Sequence, residues 1–194
     1  MKIERAKRED ARQLAYLINL AGEGIPDFLW SGMTEGSETP LDVGERRASR
    51  DEGGFSYKNA RVIRQDSLVS GLIISYQLED PYIVENIEEY PEVVRPLVLL
   101  ESEMPGSWYV NAIATKEEFR GQGIAKCLLQ EAELNAINQG IKFMSLIVAS
   151  ENTLAKGLYL KIGYESISSL PVVDYPSSLH AGNWELMVKN IENT

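Results

Sequence analysis

The run Arg120-Gly121-Gln122-Gly123-Ile124-Ala125 constrains this chain more than any other, because it joins a β-type segment to a long helical pattern. Upstream, 108–115 (Trp-Tyr-Val-Asn-Ala-Ile-Ala-Thr) is short and rich in aromatic and β-branched residues, as a strand requires. Downstream, Ile124, Leu128 and Ala132 recur at helical spacing, flanked by Cys127, Leu129 and Ile137, as on a buried helix face. A glycine turn opening a helix exposes backbone N–H groups that have no intrahelical acceptor, and the helix dipole adds positive potential there. Such a turn can hold a pyrophosphate. A nucleotide-like cofactor is the implied ligand.

A length of 194 residues suits one ordinary domain with a substantial core, and a single domain over 1–194 is expected. With 44% hydrophobic and 25% charged residues, the composition is that of a globular protein. No stretch approaches the ~18 consecutive apolar residues of a membrane-spanning helix. The first ten residues hold no apolar run of the secretory kind, so no signal segment and a cytoplasmic location are expected. Cys127 is the sole cysteine, which excludes an intrachain disulfide, and no Cys/His cluster has zinc-ligand spacing, so no metal is expected. The net charge of −10, from 19 basic and 29 acidic side chains, argues against a nucleic-acid partner, which needs a concentrated basic footprint. It suits a cationic or amine ligand, and it equally suits plain solubility.

Along the chain, Lys2 to Arg5 predicts a short strand, and Ala11, Leu14, Leu17, Ile18 and Ala21 predict a helix. The stretch 22–27 (Gly-Glu-Gly-Ile-Pro-Asp) ends that helix, leaving Phe28-Leu29-Trp30 as an apolar cluster in a loop. A second helix is expected from Leu41 to about Asp51. Ala60 to Gln65 and Leu68 to Gln77 read as a hairpin turning at Asp66-Ser67. An insertion over about 79–107 follows, with eight acidic residues against the lone Arg95 between Glu79 and Glu103, and a short helix at Pro96–Leu100. Gly140 is the expected C-cap of the helix after the glycine turn. Ile141 to Val148 is a strand, Asn152 caps a helix through Ile162, Gly163 closes it, Tyr164 begins an extended run, and Trp184 to Val188 is the last strand.

The glycine turn fails two familiar phosphate patterns. A dinucleotide fingerprint needs a third glycine where Lys126 stands, and no Gly-Lys-Ser/Thr follows for a P-loop. What remains is Arg/Gln-x-x-Gly-x-Gly/Ala, filled by Arg120, Gly123 and Ala125. With Ile113-Ala114-Thr115 and Glu118-Phe119 ahead of it, and Asn152-x-x-Ala155-x-x-x-Tyr159-x-x-x-Gly163-Tyr164 after it, the chain resembles the GCN5-related N-acetyltransferase (GNAT) superfamily. The resemblance covers roughly Trp108 to Tyr164. It implies an α+β fold, an α/β/α sandwich whose mixed, mostly antiparallel sheet is flanked by helices and splayed between the fourth and fifth strands. It also implies acetyl transfer from acetyl-coenzyme A to the amine of a small molecule, amino acid or peptide by direct attack.

By that resemblance, the amides of Gly121, Gln122, Gly123, Ile124 and Ala125 would bind the coenzyme A pyrophosphate, with Arg120 and Lys126 beside the phosphates. Main-chain groups of Ile113, Ala114 and Thr115 would take the pantetheine arm as an added strand, and an N–H there would polarise the thioester carbonyl. Asn152, Ala155 and Tyr159 share one helical face by their spacing, and small Ala155 leaves room for a ligand to pass. Tyr159 would protonate the departing thiolate, since a phenol near ~10 stays protonated at neutral pH and a thiol near ~8.5 departs readily. The plainer reading of Tyr159 is a core tyrosine on an amphipathic helix.

An alkylammonium near ~10.4 costs roughly 4 kcal/mol to deprotonate at neutral pH, so a base or water chain would help. Many relatives place a glutamate on the strand of Ile113, where this chain has Asn111, so no base is assigned. Glu101, Glu103 and His180 are candidates, against the plainer reading of solvated surface residues; Cys127 reads as packing. Ile25, Pro26, Phe28 and Trp30 would wall the acceptor, with the acidic insertion drawing a cation; hydrophobic packing explains the same residues. The alternative function is a non-catalytic acyl-CoA-binding regulatory module of the same fold. A homodimer is left open, and no residue marks an interface.

Overall fold

Hydrophobic periodicity and turn chemistry divide the described residues into seven strands and six α-helices, in the order β1 (Ile3–Arg5), α1 (Ala11–Ala21), α2 (Ile25–Ser31), α3 (Pro40–Ala48), β2 (Ala60–Gln65), β3 (Leu68–Gln77), α4 (Arg95–Ser102), β4 (Trp108–Thr115), α5 (Ile124–Asn138), β5 (Phe143–Ala149), α6 (Thr153–Lys161), β6 (Glu165–Pro171) and β7 (Asn183–Asn190). The computed structural model describes residues 1–176 and 178–192. The strands form one sheet in the order β1-β2-β3-β4-β5-β7-β6. β1–β2, β2–β3, β5–β7 and β6–β7 pair antiparallel, and β4–β5 pair parallel. That parallel pairing covers just Trp108–Val110 against Met144–Leu146, although β4 runs on to Thr115 and β5 to Ala149.

The chain divides into two compact units, Met1–Ser75 with Asn111–Ala132, and Tyr76–Val110 with Glu133–Thr194. In the first, α1 buries Leu14, Leu17 and Ile18, β2 and β3 bury Val62, Ile63, Leu72, Ile73 and Ile74, and α5 contributes Ile124, Leu128 and Leu129. β3 is buried at every residue from Val69 to Ile74, the mark of a strand covered on both faces. Its Gly71 is a packing requirement, since a Cβ there would lie 2.4 Å from Ile124 Cγ2. The missing side chain lets the first turn of α5 sit close on the sheet. Asp10 is buried with its carboxylate bidentate on Arg64 (2.8 and 2.6 Å), and it also accepts the Lys7 N–H.

In the second unit, β5 and β7 bury Met144, Leu146, Val148, Leu186 and Met187, and Tyr164 is fully buried beside them. A hydroxyl pair, Ser107 to Ser145 at 2.7 Å, satisfies the two buried polar groups where β4 meets β5. α4 packs against β5, β6 and β7. Lys189 on β7 donates to Glu133 at 2.6 and 2.8 Å, both side chains mostly covered.

The hairpin, the glycine-led helix and the Asn152 cap lie where the sequence predicts them. One expectation is corrected: Phe28–Trp30 is not in a loop. Ile25 to Ser31 is a helix, started by Gly24 in the left-handed region (φ 93°) with Pro26 in its first turn, where a missing N–H costs nothing. Trp30 then lies against α3, over Gly44, whose absent Cβ would stand 2.4 Å from the indole.

Candidate active site

In the first unit, β4 leads through a single 3₁₀ turn (Glu117–Phe119) into the glycine run, and α5 begins at Ile124. Gly121 and Gly123 both hold left-handed backbone, at φ 77° and 81°, which other residues rarely adopt. A Cβ on either would meet nothing within 4 Å, so the turn leaves open space on the side where its side chains would project. The first helical hydrogen bond runs from the Cys127 N–H to the Gly123 carbonyl (3.0 Å). The N–H groups of residues 123–126 therefore precede any intrahelical acceptor. Arg120, Gln122 and Lys126 are exposed around this turn, with the Gln122 amide oxygen accepting from Gln65 at 3.0 Å. Ile124 is buried beneath it and Ala125 half-buried.

β4 reaches the turn with Ala112 and Ala114 buried and with Asn111, Ile113 and Thr115 half-buried on the alternate face. The Asn111 side-chain oxygen and the Thr115 hydroxyl are buried without a hydrogen-bond partner among the described residues. An unsatisfied buried polar atom costs about 1–3 kcal/mol, and these two lie on one face of the strand. Sequence reading assigned this strand by its main chain and missed both side chains; the alternation of Asn111 with Thr115 is the signal that was there.

In the second unit, Asn152 caps α6 by accepting the Ala155 N–H at 3.1 Å. Asn152, Ala155 and Tyr159 are covered to varying degrees, whereas Thr153, Leu154, Gly157 and Leu160 are exposed, so the three do share the inward side of the helix. Tyr159 is buried, its ring 5.9 Å from that of Tyr164 and tilted by 56°. Burial, then Tyr159 and Glu133, raise the Tyr164 phenol far above its ordinary range. Its hydroxyl lies 3.7 Å from the Met144 sulfur.

The three base candidates have separate surroundings. Glu101, on α4, is half-buried and accepts the Tyr82 hydroxyl at 2.9 Å, with Tyr109 as a second hydroxyl donor. Burial raises its carboxyl above the usual range, and the two phenols counter only part of that rise. Glu103 is exposed and takes the Ser168 hydroxyl at 2.9 Å. His180 lies 3.4 Å from a Glu151 carboxylate oxygen through Nδ1. Cys127 is half-buried on α5. Of the acceptor-wall candidates, Ile25, Pro26 and Trp30 are buried and Phe28 is half-buried. No group of three or more His, Cys, Asp or Glu among the described residues could hold a metal ion.

The family model for the acetyltransferase (GNAT) family matches residues 49–164, more than half of the chain. The chain belongs to the GNAT acetyltransferase family. It is thereby an acyltransferase, and the GNAT match takes in β4, the glycine turn, α5 and the Asn152–Tyr159 helix. Solved GNAT-like structures share the fold. An N-acetyltransferase from Staphylococcus aureus Mu50 is 22% identical, with a TM-score of 0.65 over 97% of this chain and 100% of that one. Naa20 from Chaetomium thermophilum, solved with a bisubstrate analogue, is 21% identical, with a TM-score of 0.60 over 98% of this chain and 86% of its own. The ribosomal-protein-S18-alanine N-acetyltransferase of Escherichia coli is 14% identical, with a TM-score of 0.60 over 100% and 95%.

Proposed function

We propose that this GNAT chain is an acetyl-CoA-dependent N-acetyltransferase that acetylates the amine of a small molecule, amino acid or peptide by direct attack. The observation that carries the reading is the turn at Gly121 and Gly123: two left-handed glycines with open space beside them, leading into a helix of 15 residues. Family membership supports coenzyme A as the source of the diphosphate. The amides of residues 121–125 hold the coenzyme A pyrophosphate, and exposed Arg120 and Lys126 offset its charge. Ile113, Ala114 and Thr115 take the pantetheine amides through their main chain, with the Asn111 and Thr115 side chains as further partners. Acetyl-CoA supplies the activated acetyl group.

Tyr159 gives its hydroxyl proton to the sulfur as the C–S bond breaks. Asn152 caps that helix by accepting the Ala155 N–H, and small Ala155 leaves room on its inner face for the thiol arm to pass. Phe28, half-buried, presents apolar surface to the acceptor. A lone cysteine supports a reducing, cytoplasmic compartment, and among the described residues no helix is long and apolar enough to cross a membrane.

The test is a melting-temperature series with acetyl-CoA, ATP and NAD, followed by thiol release with a panel of amines. Acetyl-CoA alone should stabilise the protein, by about 2.7 kcal/mol at a hundred times its dissociation constant. Stabilisation by ATP or NAD, with none from acetyl-CoA, would refute the reading.

A further inference from the structure

Within the second unit, Glu101 has an environment unlike the other carboxylates of the acidic segment. It is half-buried, and no Lys, Arg or His pairs with it among the described residues. Its hydrogen-bond donors are neutral: the Tyr82 hydroxyl at 2.9 Å and the Tyr109 hydroxyl. Tyr76 meets Tyr109 edge to face, with centroids 6.1 Å apart, so two phenols bond the carboxylate and a third ring packs on one of them. Tyr109 lies on β4 one residue before its pairing with β5 ends, at Val110 against Leu146.

The charged side chains on elements packed against α4 are engaged elsewhere. Glu185 pairs with Lys156 and takes the Ser166 hydroxyl, and Lys189 pairs with Glu133. Arg95 donates to the Tyr90 and Glu88 carbonyls and lies near Glu92, and Glu89 accepts from Asn86. Glu103 faces Ser168, while Glu165 is exposed. Burial and the two phenols are what act on Glu101.

Taking a carboxylate out of water without a counter-ion is costly, and a cation beside it would relieve that cost. We propose that Glu101, Tyr82, Tyr109 and Tyr76 form the subsite for the acceptor's ammonium group, a primary alkylammonium, and that Glu101 takes its proton. This rests on the proposed acetyl transfer and completes it. One ammonium proton passes to the Glu101 carboxylate. The freed nitrogen lone pair forms the C–N bond at the thioester carbon as the C–S bond breaks, and the sulfur leaves with the Tyr159 proton. The second nitrogen proton passes through water to the Tyr159 phenolate, which leaves a neutral amide, and Glu101 releases its proton to solvent. Tyr82 is a positioning residue that favours the charged form of Glu101.

The test compares wild type, Glu101→Gln and Tyr82→Phe with acetyl-CoA and three probe amines: a linear diamine, lysine and an alanyl tripeptide. Thiol release is followed across pH, acetyl-CoA binding by melting temperature, and the Glu101 carboxyl by carbon-13 NMR assigned with Glu101→Gln. We expect Glu101→Gln to lose about 100-fold or more in turnover while its acetyl-CoA shift is kept. Tyr82→Phe removes a donor to the charged form, so the acid limb of kcat/KM and the Glu101 titration should both move to higher pH. Wild-type turnover in Glu101→Gln, or a pH profile unmoved by Tyr82→Phe, overturns the proposal. So does a protein that binds acetyl-CoA and acetylates none of the three probes. Loss of the acetyl-CoA shift in wild type itself would instead bring down the acetyl-transfer reading, and this subsite with it.

Discussion

At the scale of single residues, the chain's chemistry separates by what each side chain touches. Tyr159 is buried against Tyr164, and its replacement by Phe keeps that ring packing while removing the one proton the reading needs from it. Tyr159→Phe should lower thiol release by about 100-fold with the acetyl-CoA melting shift intact. Unchanged turnover would leave Tyr159 as a packing tyrosine. Asp10 is a structural counterpart. Burial alone would raise its carboxyl, but the Arg64 and Lys7 hydrogen bonds outweigh burial and hold it below its ordinary range. A lowered folded pKa means the pair stabilises fully above the ordinary carboxylate range and loses that contribution as pH falls through the folded value. Asp10→Asn should cost about 2–3 kcal/mol at neutral pH, less than a fully orphaned buried charge because Arg64 keeps Glu4 at 3.4 Å. Chemical denaturation at neutral and acid pH checks this: the penalty should shrink toward low pH. Glu101 and Glu103 look alike in the sequence, two residues apart in one acidic run. Tyrosines brought from outside α4 distinguish them, and nothing local in the sequence records those contacts.

At the scale of elements, most of the fold was legible because local signals agreed. The hairpin at Asp66-Ser67, the Asn152 cap and the Gly140 and Gly163 stops each join a residue preference to a change of period. α2 was missed because Gly22 and Gly24 hide a helix start: they end α1 and, two residues later, open α2 at Ile25. Gly71 was equally silent. A glycine inside a strand says that something approaches closely, not what; here it is Ile124 at the head of α5. Gly71→Ala should therefore press on the first turn of α5, costing about 1–3 kcal/mol in stability and weakening acetyl-CoA binding by displacing the glycine turn. Calorimetric melting with and without acetyl-CoA measures both. A variant with wild-type stability and affinity would show that α5 does not depend on that close approach.

At the scale of the whole molecule, membership of the GNAT family rests on the match over residues 49–164, and the proposed cofactor on a turn that a six-residue pattern announced and the backbone of Gly121 and Gly123 realises. The acceptor's side was far less legible, since its candidate groups come from segments with no shared motif. The most direct measurement is an amide NMR titration of the isotopically labelled protein with acetyl-CoA. The account predicts that the largest backbone N–H shifts fall on residues 121–126, with smaller ones on Ile113 to Thr115. Saturating shifts centred elsewhere, with the glycine turn unmoved, would contradict it.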